Sequence, residues 1–228
     1  MSTRARTSPP LFARVCGLVL LPVALCAAAS SAHAAPPSPK PWLKSVLDRG
    51  TKLAEQRVQP GTPAEEKWQG AAKALIDETL DWPGLTEAAY GKQWSKLSAA
   101  DQQAFAQNLR EMIEASYQSK LKLLVRGGVK KPAEVKVEWL DEKLEGDEAT
   151  VNVRVKADKS VAVLQFRQRW HDGAWRVWDV SIDEVSTVRT YRTQFTKLVA
   201  KDGFPALLAR MKTKVEEIRA GKSDLAAE

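Results

Sequence analysis

Side chains suited to chemistry are scarce in this chain, and their positions exclude most of it. Two histidines occur, His33 and His171. His33 falls in an apolar N-terminal stretch, and His171 stands beside Asp172 and Gly173 in a hairpin-loop composition, a poor place for a buried general base. Both cysteines, Cys16 and Cys26, share the N-terminal stretch with His33. Thiol nucleophiles, serine–histidine pairs and histidine or cysteine metal sites therefore lack support, and no glycine-rich phosphate loop is present. Carboxylate acid–base catalysis is what remains, and its candidate is Asp179, set mid-strand among Val177, Val180 and Ile182. Two readings compete for Asp179. It is a base in a cavity, or a structural carboxylate paired with Arg167 or Arg169 on the adjacent strand or held near the turn at Val185 and Ser186. Pairing is the commoner reason for a carboxylate inside a sheet.

The N-terminus carries a secretory signal: Arg4, Arg6 and Arg14, then an apolar run from Val15 to Ala29, then Ala32-His33-Ala34 as a small-x-small cleavage site. The run is shorter than the ~20 residues a membrane span requires. Lipid attachment at Cys26 would want a small residue before it, and Leu25 is not small. Cleavage after residue 34 removes both cysteines and leaves 194 of the 228 residues, enough to fold on an apolar core without disulfides. Loss of the three arginines lowers the formal charge from +7 to +4. Lys and Arg are scattered, which suits weak attraction to anionic headgroups and argues against nucleic acid.

The elements that must position Asp179 follow from periodicity. Residues 35–41 hold four prolines and are expected to form an extended leader. A single domain is expected over 42–220, helical over 42–127, a sheet over 133–183 and helices again over 185–220, with a frayed tail at 221–228. Trp42, Leu43, Val46, Leu47 and Leu53 stripe a first helix. Thr62-Pro63-Ala64-Glu65 opens a second, running to about Leu80, and Asp81-Trp82-Pro83 a short third. Ser98 caps a long fourth that ends at Gly127-Gly128, with Phe105, Leu109, Met112 and Ser116 on one face. The period then switches to two through Val137, Val153, Leu164, Phe166 and Val177, giving four antiparallel strands. Gly146 and Asp172-Gly173 mark hairpin turns. A two-residue turn at Asp172-Gly173 pairs Trp170 with Trp175, Arg167 with Trp178 and Phe166 with Asp179. Trp42, Trp68, Trp82 and Trp94 fall at helix starts or faces, so core packing accounts for the tryptophans better than sugar stacking. Helices, a meander and helices again is an α+β order, with helices on one side of the sheet.

The stretch Trp175–Leu208 carries a more specific signal. Trp175, Val177, Asp179 and Val180, then Val185 and Ser186, then Tyr191, Arg192, Gln194 and Phe195, followed by Gly203 and Leu207, fit the pattern W-x-V-x-D-V, G-V-S, Y-R-x-Q-F. In this it resembles the MlaC or toluene-tolerance family of periplasmic phospholipid carriers. Glu184 stands where that family has glycine, and Trp178 where it has tyrosine. The resemblance implies a curved, NTF2-like antiparallel sheet with helices over an apolar cavity, a fold that can also host a carboxylate base such as Asp179. It implies a phospholipid ligand, no cofactor, and shuttling between an outer-membrane lipoprotein–porin complex and an inner-membrane ABC transporter complex. A related class handles hopanoid-type lipids. Strand alternation, helix spacing and the family's cavity place acyl chains against Leu121, Val137, Val153, Leu164, Phe166, Val177, Tyr191 and Phe195. On their own spacing, Tyr191 and Phe195 share one helix face that either lines a cavity or seals a core.

Overall fold

In the computed structural model, residues 35–125, 136–157 and 160–222 are described. The signal segment, Gly127-Gly128 and the end of the tail, and with them those expectations, lie outside the described residues. Contacts from Ala35 onward form a single unit.

Helix α1 spans Pro39–Glu55 and so begins inside the stretch expected to stay extended. Proline is tolerated in a first helical turn, where its missing N–H would have had no intrahelical partner. Pro39 is fully buried, and the Pro37 carbonyl accepts a 2.8 Å bond from the Trp175 indole N–H, which ties the leader to the sheet. Helix α2 (Pro63–Thr79) starts as its sequence predicts: the Thr62 hydroxyl accepts from the Glu65 N–H, and the Glu65 carboxylate accepts from the Gly61 N–H. Helix α3 (Trp82–Tyr90) is capped by Asp81, and α4 (Ala99–Val125) by Ser98. A 3-10 turn at Trp94–Lys96 precedes α4.

The sheet is an open antiparallel meander of five strands in the order β1 (Lys136–Glu145), β2 (Glu148–Ala157), β3 (Ser160–His171), β4 (Ala174–Ile182) and β5 (Val185–Ser186). The fifth strand was not predicted. It is two residues long and is reached through Asp183 and Glu184, both at positive φ, so periodicity could not register it. The β3–β4 register also differs from expectation beyond the turn. Trp170 pairs with Trp175, as the Asp172-Gly173 turn requires, but Trp178 is bulged out. Arg167 therefore faces Asp179, and Phe166 faces Val180. One inserted residue shifts every later pairing.

Helices α5 (Thr187–Asp202) and α6 (Phe204–Arg219) follow the sheet. Apolar burial divides in two. Phe105, Leu109, Phe195, Leu207 and Met211 belong to a core among α3, α4, α5 and α6. Leu43, Val151, Val153, Phe166 and Val177 form another, where α1 lies on the sheet.

Candidate functional site

Strand β4 joins the two cores, and its polar residues hold the helices in place. Asp179 is buried, with its side chain only 1% exposed. One carboxylate oxygen accepts from the Ser186 hydroxyl at 2.6 Å, and the other accepts from the Val188 N–H at 3.1 Å. Ser186, the residue before α5, in turn accepts from the Arg189 N–H at 3.0 Å. Two of the four N–H groups that a helix start leaves unbonded are thereby satisfied, and a negative charge sits at the positive end of α5. Arg167 lies 3.7 Å from Asp179. The ion pair and the contact near Ser186, offered as alternatives by the sequence, are both present. Asp81 does the same work for α3, accepting from the Gly84 N–H at 2.9 Å with Arg169 at 3.5 Å, while its own N–H donates to the Val177 carbonyl.

Arg192 likewise has a structural task that spacing did not show. Its guanidinium donates to the Ala88 carbonyl near the end of α3, and its side chain passes so close to Gly91 that a Cβ there would lie 2.8 Å from it. The motif residues Trp175, Asp179, Ser186 and Arg192 thus fasten helices to β4 and to one another.

The eight residues expected to line one cavity are divided between the two cores and their edges. Register places Val137, Val153 and Leu164 on the same sheet face as Phe166, and Val153, Leu164, Phe166 and Val177 share the sheet-side core. Tyr191 and Phe195 belong to the helical core, where their rings stack at 5.7 Å and Phe195 meets Phe105 edge-on. Leu121 is half-buried on α4, one turn beyond Tyr117. The separation has a physical reason: the first turn of α5 is bound to Asp179, which pairs with Arg167 on the sheet face opposite Phe166 and Val180.

The apolar sheet face itself outruns its cover. Where α1 crosses, Val151 and Val153 have no exposed surface. Toward the other end, still on the same face, Val137 is 44% exposed, Ile182 51% and its β5 partner Val185 65%. Beside the covered half, α1, α2 and α4 enclose a groove of about 540 Å³ lined by Val46, Leu47, Leu75, Leu80, Ile113 and Tyr117. Leu47 and Leu80 also touch the sheet-side core, so groove and sheet face are continuous. The Tyr117 hydroxyl is buried with no hydrogen bond of good geometry, the Gln118 side chain being the polar group that bears on it. Burial, with the nearby Glu114 charge, pushes its pKa up, so it stays a neutral donor. This groove was not foreseen, because its lining residues read in sequence as ordinary helix-face apolar positions. At its back, Lys73 and Arg110 each bridge Asp77 and Glu114 at 2.7–3.1 Å, closing a ring of charges that pins α2 to α4.

Among the described residues, no cluster of three or more His, Cys, Asp or Glu could hold a metal ion, and no helix is long and apolar enough to cross a membrane. Fold and site together define an α+β protein with, among the described residues, an open five-stranded antiparallel sheet, six α-helices and a part-covered apolar sheet face. Residues 50–213 match the family model for the MlaC protein, and the chain belongs to the MlaC family. Among solved structures it is similar to the phospholipid-binding protein from Ralstonia solanacearum in complex with a phospholipid. The TM-score is 0.62 at 17% identity, over 80% of this chain and 99% of that one, a likeness of fold. No curated protein matches.

Proposed function

We propose that this protein is a periplasmic phospholipid carrier, the soluble component of an ABC-transporter lipid-trafficking system that moves lipid between the outer and inner membranes. The observation that carries the reading, beside family membership, is an apolar sheet face left open at one end and continuous, beside its covered half, with an apolar groove. An acyl chain in water costs about 0.8 kcal/mol per CH₂, so a chain of about sixteen carbons needs shelter worth about 12 kcal/mol. The chains lie along Val137, Leu164 and Ile182 toward the α1–α2–α4 groove, with Leu121 and Tyr117 on the α4 side and the headgroup near solvent. This amounts to an NTF2-like arrangement of sheet and helices around lipid. Asp179 is committed to Ser186 and Val188, which supports a binding protein over an enzyme using that carboxylate.

Native mass spectrometry of the protein purified from a membrane-containing host, comparing three variants, tests the reading. Val137→Glu and Ile182→Glu introduce charge on the open apolar face at exposed positions that tolerate it in the fold; Val161→Glu does so at a 57% exposed position on the opposite face. A carboxylate forced against hydrocarbon costs about 2 kcal/mol or more, so the first two should retain at least roughly thirtyfold less phospholipid while Val161→Glu retains it fully. Equal retention in all three, or no phospholipid on the parent protein, defeats the proposal.

A further inference from the structure

Gln168 stands on β3 in a row of apolar side chains. It has no exposed surface, and neither its amide nitrogen nor its amide oxygen has a hydrogen-bond partner among the described residues. Its cross-strand neighbours are Ala149 on β2 and Val177 on β4, and the next residue along the same face is Phe166. Strand alternation therefore puts the amide on the apolar face, with the core that α1 covers and opposite Arg167 and Arg169. An amide buried with both ends unbonded works against the fold, and methionine or leucine fills a similar volume without that cost. The position also borders the groove. Leu80, which lines the groove, pairs with Val177, and Val177 pairs with Gln168. Leu47 and Leu80 both line the groove and pack against the sheet-side core, so they form the wall between the groove and the row that holds the amide.

We propose that Gln168 is the polar anchor of the lipid site: its amide N–H donates to an ester carbonyl at the head of an acyl chain when a lipid parts Leu47 and Leu80 from the sheet. This deepens the phospholipid reading and rests on it. The ordinary alternative is a core amide bridged by a buried water, which calls for about two to four polar partners. The side chains of Ala149, Val177 and Phe166 supply none. The surroundings select the ligand group. A phosphate or ammonium at this depth would set a charge against hydrocarbon, whereas an ester carbonyl is uncharged, accepts from an amide N–H and lies where chain meets glycerol. From Gln168 the row continues through Phe166 and Leu164, so a chain leaving the carbonyl runs over apolar side chains toward the open end at Ile182, the partner of Leu164. The amide oxygen is left on the headgroup side, where water accompanies the phosphate.

Delipidated protein is equilibrated with vesicles holding equal amounts of a diester phosphatidylglycerol and its diether counterpart of the same chain length, and bound lipid is counted by native mass spectrometry. The parent should carry the diester over the diether by roughly tenfold, as for one buried hydrogen bond to an uncharged acceptor. Gln168→Met, close in shape and unable to donate, should bring the two lipids to parity. Ile182→Glu should lower total lipid and keep the parent's preference. In urea, lipid-free Gln168→Met should unfold at or above the parent's midpoint, because it sheds an unbonded amide. Parity on the parent, or the same preference on parent and Gln168→Met, overturns the anchor and leaves the carrier reading standing. A lower midpoint in Gln168→Met would reveal an amide bonded within the fold and overturns the anchor as well. No lipid of either kind on the parent defeats the carrier reading and the anchor with it.

Discussion

Replacing Asp179 by Asn separates a structural carboxylate from a catalytic one. The aspartate accepts from two donors, the Ser186 hydroxyl at 2.6 Å and the Val188 N–H at 3.1 Å, one on each oxygen. Asparagine offers a single acceptor, so one donor would face an NH₂ group. Losing one hydrogen bond to a buried charged acceptor costs about 1.5–3 kcal/mol. Removing the negative charge from the start of α5 adds about 0.3–1 kcal/mol. Arg167, about one-third exposed at 3.7 Å, contributes little because water screens it. The expected loss is about 2–4 kcal/mol. With a urea dependence of about 2 kcal/mol per molar for a domain of this size, the unfolding midpoint should fall by roughly 1–2 M at unchanged slope. Arg167→Gln should cost less than about 1 kcal/mol. Urea titration followed by tryptophan fluorescence measures both. An Asp179→Asn midpoint within error of the parent, or a larger effect from Arg167→Gln, refutes the capping role. A small-molecule turnover that vanishes in fully folded Asp179→Asn would restore the catalytic base.

Three further outcomes are expected. Glu184 sits at φ +70, so Glu184→Gly should relieve about 1 kcal/mol of left-handed strain and raise the thermal midpoint by roughly 2–4 °C in calorimetry; a lower midpoint would contradict it. A Cβ on Gly84 would collide with the Asp81 carboxylate, so Gly84→Ala should dislodge the α3 cap and destabilise by about 1–2 kcal/mol in the same urea assay. Burial pushes the Glu114 pKa up, but hydrogen bonds from Lys73 and Arg110 outweigh it and the net shift is downward. Its stabilisation is therefore complete above the unfolded-state value near ~4.3 and is lost as pH falls through the lower folded value, so midpoints taken from pH 6 to about pH 3 should fall more for the parent than for Glu114→Gln.

Much of the fold was legible because its signals are local. The Thr62, Asp81 and Ser98 caps each bind the N–H three residues on, within one turn of chain, and period-two alternation placed β1 to β4. What escaped depends on contacts between distant segments. The tie between the Trp175 indole and the Pro37 carbonyl, which fastens the start of α1 to the sheet, spans 138 residues of chain. The Trp178 bulge is fixed by how β4 meets its neighbours, and periodicity within β4, with Trp175, Val177, Asp179 and Ser181 all buried, gives no sign of it.

The candidate site was less legible than the family motif, and for a reason visible in the motif itself. Trp175, Asp179, Ser186 and Arg192 stand out in sequence because each makes a bond that only its own chemistry can make, to Pro37, Val188, Arg189 and Ala88 respectively. They carry a recognisable pattern, but what they do is fasten helices to β4 and to one another. A surface for acyl chains has the opposite property. It asks only for apolar area, which Val, Leu and Ile supply interchangeably, so Val137 and Ile182 on the open face look in sequence like Val151 and Val153 under α1. Only exposure distinguishes them, and exposure depends on which part of the face α1 packs against. For the same cause, sequence does not separate Tyr191 and Phe195 from the strand residues: all are apolar at the right period, and the binding of α5 to Asp179 goes with their packing in the helical core.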